Sequence, residues 1–115
     1  MDTAAARKRL EQIRAELDRS ILVLTGEHQD ESASEYPRDA ADAGASLAEN
    51  ERSEAILALA RSQLSDVSAA LHRIDDGTYG ICGDCGTGVP EGRLEAKPQA
   101  ARCVACQGKR DRLRR

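Results

Sequence analysis

Four cysteines stand in two pairs, Cys82-Gly83-Asp84-Cys85 and Cys103-Val104-Ala105-Cys106, with seventeen residues between the pairs. Two residues between cysteines let both thiolates approach a single ion, and the small Gly83 and Gly86 suit the tight turn this requires. The spacing is that of a four-cysteine zinc site, so Cys82, Cys85, Cys103 and Cys106 are expected to hold one structural zinc. Four protein ligands leave no open coordination position, which argues against activated water and hydrolysis. The rival reading is a free or redox-active dithiol. A thioredoxin-like CxxC is expected beside a βαβ pattern, which the sequence lacks. His28 and His72 are isolated and read as surface residues. No nucleophile and base pair, open metal site or phosphate loop is visible, so the chain does not read as an enzyme.

The cysteine pairs need something to position them, and a globular core is poorly supplied. The 115 residues contain no Phe or Trp and only two Tyr. A composition dominated by Ala, Leu, Glu, Arg and Asp favours long helices that bury a narrow seam. Leu10, Ile13, Leu17, Ile21 and Leu24 are spaced by 3, 4, 4 and 3 residues and share one helix face. Leu57, Ala60, Leu64, Val67, Leu71 and Ile74 provide a matching coiled-coil stripe. Between the stripes Gly26 to Gly44 is polar and contains Pro37, so the chain is expected to reverse there. A second helix from about Asp39 to Asp76 gives an arm of roughly 50 Å. Gly77 can take the left-handed conformation that ends it.

The expected fold is therefore mostly α. Residues 1–77 form a long antiparallel helical hairpin, a coiled coil with an acidic tip near 36–44. Residues 78–115 form a small four-cysteine zinc finger with a short C-terminal helix. No apolar run approaches the ~18 residues of a membrane span, and the polar start through Arg7-Lys8-Arg9 is unlike a signal peptide. The expected location is cytoplasmic. Charge is unevenly distributed within a net of −3: residues 26–54 hold nine acids and two bases, and residues 93–115 hold eight bases and two acids. The acidic total argues against a general nucleic-acid binder, which needs a basic surface.

Three stretches carry a resemblance to a known family: Tyr79-Gly80-Ile81-Cys82-Gly83-Asp84-Cys85-Gly86, Arg93-Leu94-Glu95-Ala96-Lys97-Pro98 and the second cysteine pair. With the hairpin, they resemble the DksA/TraR family of bacterial transcription regulators. That family has a tip motif of the form Asp-x-x-Asp-x-Ala, and Asp39-Ala40-Ala41-Asp42-Ala43-Gly44 occupies its place. The resemblance implies direct binding of RNA polymerase through the secondary channel, without specific DNA contact. The tip residues Asp39, Asp42 and Gly44 would lie near the active centre and alter open-complex stability. Gly44 replaces the family's Ala, which loosens the helix start. Positions that bind guanosine tetraphosphate in longer members align with Asp66, Lys97 and Gln107, and only Lys97 keeps its charge. Synergy with that nucleotide is expected to be weak, with Arg93 and Lys97 left as candidate nucleotide or polymerase contacts. The resemblance also leads one to expect that this chain lacks an N-terminal extension of the longer members, with a reduced affinity for polymerase. Two other readings stand beside this one: a zinc-dependent nucleic-acid module using residues 93–115, and a structural hairpin that binds a protein partner.

Overall fold

Asp2 begins the first helix by supplying what a helix start lacks, an acceptor for its orphan amides. Its Oδ1 accepts from the amides of Ala4 and Ala5 at 3.1 and 3.2 Å. A computed structural model describes the backbone of residues 2–32 and 40–114, and the side chains of residues 2–26 and 47–114. It contains four helices, α1 (Thr3–Ser32), α2 (Ala40–Asp76), α3 (Glu91–Ala96) and α4 (Val104–Leu113). No strand occurs among the described residues, whose one extended pairing is an isolated antiparallel bridge, Ile81 with Gly88. The architecture is mostly α, as expected, and none of the described helices is long and apolar enough to cross a membrane.

Two compact units divide the chain: residues 1–14 with 65–115, and residues 15–64. In the first, the opening turns of α1 run antiparallel to the closing turns of α2. Arg7 pairs with Asp75, while Leu10, three residues along α1, is buried with Val67, Ala70 and Leu71, which lie earlier on α2. The guanidinium holds the Asp75 carboxyl below its ordinary range. Both partners are exposed, so water screens the pair and the buried aliphatic residues hold the unit. Burial of a leucine or valine contributes about 1.5–3 kcal/mol.

In the second unit Leu17, Ile21 and Leu24 of α1 and Leu57 and Leu64 of α2 are half-buried, and Ala60 is buried. Every described position of the two aliphatic stripes is thus at least partly covered. Leu22, Val23, Ile56 and Leu59 lie off the stripes and remain exposed. The Thr25 hydroxyl donates to the Ile21 carbonyl at 2.9 Å, which satisfies a polar group beside the seam.

α2 ends where Gly77 takes φ +77°. The Gly77 amide donates to Ile74 O at 3.3 Å and the Thr78 amide to Arg73 O at 2.9 Å, a Schellman closure of the last carbonyls. The chain is expected to reverse between Gly26 and Gly44; residues 33–39 of that stretch, Asp39 and the start of the expected acidic tip among them, lie outside the described residues. Asp42 and Gly44 fall within the first two turns of α2, with their side chains outside the described set.

Two substitutions on α1 separate its faces. Leu10→Ala removes a fully buried side chain and should cost about 2–5 kcal/mol in urea or thermal unfolding. Leu22→Ala, at a position 71 % exposed, should change stability by no more than about 0.5 kcal/mol.

Candidate metal centre

The first cysteine pair sits in a small loop whose turns depend on glycine. Gly80 and Gly86 take φ +85° and +76°, a region that strains residues with a side chain. Between them Cys82 N donates to Thr87 O at 2.8 Å, Gly86 N to Cys82 O at 3.0 Å and Val89 N to Gly80 O at 2.8 Å. Gly83 does not share this role. It has no positive φ, and a methyl group there would meet Ala101 O at an ordinary 3.7 Å. Its amide instead donates to Ala101 O at 3.0 Å, tying the first cysteine loop to the approach of the second.

The second pair is carried by α4. Cys103 is its N-cap, with extended φ and ψ of −69° and 166°, and its carbonyl accepts from Gln107 N at 3.0 Å. Cys106 lies in the first turn. Between the two pairs, α3 follows Pro90 and buries Leu94. Leu94, Val89 and Ala100 form one apolar cluster with Cys82 and Cys106, and Tyr79 and Cys103 pack against it.

All four cysteine sulfurs lie within 4.8 Å of one another, and Cys85 and Cys103 are 3.9 Å apart. Zinc–sulfur bonds of about 2.3 Å in a tetrahedron place sulfurs roughly 3.8 Å apart, so the cluster fits one zinc after small adjustment. Four thiolates complete the coordination, which makes the zinc structural.

Local donors already favour negative sulfur. Backbone amides of Cys103 and Cys85, and then Asp84, point at Cys82 and bring its pKa down to about 6. The Thr87 hydroxyl lies 2.9 Å from the Cys85 sulfur and lowers its pKa as well. Cys106 shows the opposite effect. The sulfurs of Cys103, Cys82 and Cys85 accept its proton and hold its pKa up to about 12, so the metal must displace that proton.

Asp84, between the first two ligands, joins the loop to α4. It accepts from Arg102 Nε at 3.0 Å and from Arg110 Nε and Nη2 at 3.3 and 3.4 Å. Arg110 therefore has a defined partner at the C-terminal helix. Arg93 Nε donates to Arg102 O at 3.1 Å, bracing the residues before Cys103, while Lys97 is exposed just after α3. Asp66 is exposed, and Gln107 donates to Asp111 at 3.0 Å. Asp39 and the side chain of Asp42 lie outside the described residues, and Gly44 is described in its backbone alone.

Two anchors carried no warning in residue spacing. Tyr79 donates its hydroxyl to Pro98 O at 2.9 Å, and burial raises the phenol pKa. Arg73 reaches Gln99 O at 3.5 Å, and burial lowers its pKa from the usual arginine value. They join the end of α2 to the turn after α3. The only sequence signal was a lone tyrosine three residues before the first ligand.

Residues 77–112 match the family model described as the prokaryotic dksA/traR C4-type zinc finger. An uncharacterized protein of Aquifex aeolicus is 37% identical over 73 residues, covering 64% of this chain and 50% of that protein. The RNA polymerase-binding transcription factor DksA of Caulobacter vibrioides is 38% identical over 55 residues, covering 48% of this chain and 39% of that protein. The chain thus spans half or less of the length of these two relatives. The structure of transcription factor DksA2 from Pseudomonas aeruginosa superposes with a TM-score of 0.81 at 25% identity, covering 96% of this chain and 84% of that one. Residues 77–112 thus carry a zinc finger of the dksA/traR type, and the fold is similar to that of DksA2.

Elemental analysis should find one zinc per chain. Cys82→Ser or Cys106→Ser should abolish stoichiometric zinc and loosen residues 78–115, while circular dichroism retains most of the helical signal. Thr87→Val keeps the shape but removes the hydroxyl beside Cys85, and should weaken zinc binding roughly tenfold in a chelator competition.

Zinc affinity should fall with pH, because protons and metal compete for the same sulfurs. Above about 6, Cys82 in the metal-free cluster is already a thiolate; below it, zinc must displace one more proton. The dependence should steepen there. Chelator competition across this range, with proton release measured alongside, checks both sign and slope.

Proposed function

We propose that this chain regulates transcription by binding RNA polymerase directly. The observation carrying this reading is the four-sulfur centre within a fold that matches DksA2 along 96% of the chain. The Caulobacter relative, which is named as RNA polymerase-binding, supplies the partner by analogy.

In the finer form of the proposal, the chain enters the secondary channel and presents Asp39 and Asp42 near the active centre, where they alter open-complex stability. The net charge of −7 across residues 26–54 suits approach to a cationic or metal-containing centre. The protein would act in the cytoplasm and need no specific DNA contact of its own. Guanosine tetraphosphate would add little, because Asp66 and Gln107 offer no cation and Lys97 stands alone.

Purified zinc-loaded protein should bind core polymerase and compete with other secondary-channel proteins. Changing Asp39 and Asp42 together to Asn should leave binding within roughly a factor of ten, by the small worth of exposed charges. Its effect on a ribosomal-type promoter in vitro should be lost. Gly44→Ala should strengthen that effect, since position 44 lies in α2 and alanine favours helix by up to ~1 kcal/mol. Failure to bind core polymerase would overturn the proposal. Salt-sensitive binding to nucleic acid without polymerase would favour a basic zinc module instead.

A further inference from the structure

A cavity of about 380 Å³ lies in the unit formed by residues 1–14 and 65–115. Ala6, Tyr79, Leu94 and Pro98 give it an apolar lining. Asp2, Glu91 and Glu95 also line it, with Arg9 as the one base. Three acids against one base leave this apolar hollow with a local charge of −2. It is separate from the four sulfurs, and the metal centre gives it no task.

The end of α4 offers the complementary chemistry. Leu113 is 86% exposed, the highest exposure among the large hydrophobic residues of the described chain. Arg112 and Arg114 flank it, and both are exposed. Arg110 is held by Asp84, while Asp111 accepts from Gln107. The tail thus presents one aliphatic side chain between two guanidinium groups. Its exposure also shows that this leucine is not seated in a cavity of its own chain.

We propose that the cavity receives the Arg112-Leu113-Arg114 end of a second copy of this chain. Leu113 would enter the apolar hollow, and the two arginines would meet Glu91, Glu95 and Asp2. Such an interface is small, so the association is weak and depends on charge. It does not rest on polymerase binding and would form between purified copies alone.

Sedimentation equilibrium of the zinc-loaded full chain tests this, with zinc content and circular dichroism recorded for each variant. Wild type should self-associate at hundreds of micromolar in ~0.05 M salt, and at least ~tenfold more weakly in ~0.5 M salt. Leu113→Ser should weaken association at least tenfold. So should the charge-reversed pairs Glu91→Lys with Glu95→Lys, and Arg112→Glu with Arg114→Glu. All these side chains are exposed, so the variants should keep their zinc and helicity. Mixing the two charge-reversed proteins should restore association, because each cavity then meets a tail of opposite sign. A wild type that stays monomeric at about 1 mM in low salt would overturn the proposal. So would self-association unchanged in the Leu113 and glutamate variants, or absence of recovery on mixing.

Discussion

Bringing four cysteine sulfurs to within 4.8 Å of one another creates a problem of charge that a metal ion solves. Donors from the backbone and Thr87 make Cys82 and Cys85 readily negative, but the same crowding keeps Cys106 protonated until something offsets the charge. Zinc supplies two positive charges and a tetrahedral template. Because Cys82 and Cys106 also belong to the apolar cluster with Val89, Leu94 and Ala100, metal binding and packing reinforce one another. A chain without Phe or Trp has few other means of closing this region.

The same unit is held by contacts that converge on the metal ligands from three directions. Gly83 N to Ala101 O links the backbones before and after α3, and Asp84 holds Arg102 and Arg110 across the same gap. The Tyr79 and Arg73 bonds extend the connection back to the end of α2. Each contact is modest because it replaces bonds to water. Their value lies in direction: they orient α4 so that its first turn delivers Cys106, whereas the aliphatic residues of α1 and α2 supply nondirectional burial.

This arrangement has a consequence for function. The basic C-terminal region is not one free electrostatic surface, since Arg102 and Arg110 are committed to Asp84 and Arg93 to a backbone carbonyl. What remains exposed in that region among the described residues is Lys97, Lys109 and the end of α4, where Arg112 and Arg114 stand beside an exposed leucine. A surface of that kind suits a localised protein contact better than continuous tracking of a phosphate backbone.

Much of this was determined by the sequence alone. The helical stripes, the stop at Gly77 and the four-sulfur centre are written in short-range spacing, because helix periodicity and metal coordination each impose a fixed rule on residue separation. The sequence also placed a short helix at the end of the zinc finger, where α4 is found. Gly83 and Gly80 show where that legibility ends: the sequence favoured Gly83 and Gly86 as turn residues, and backbone dihedrals place positive φ at Gly86 but at Gly80 in place of Gly83. Only the tertiary structure decided that Asp84 binds Arg102 and Arg110, that Arg93 braces a carbonyl, and that Ala6, Tyr79, Leu94 and Pro98 share a cavity. These depend on distances between residues up to 92 positions apart, from Ala6 to Pro98, which no periodic pattern encodes and which arise only when separate helices pack together.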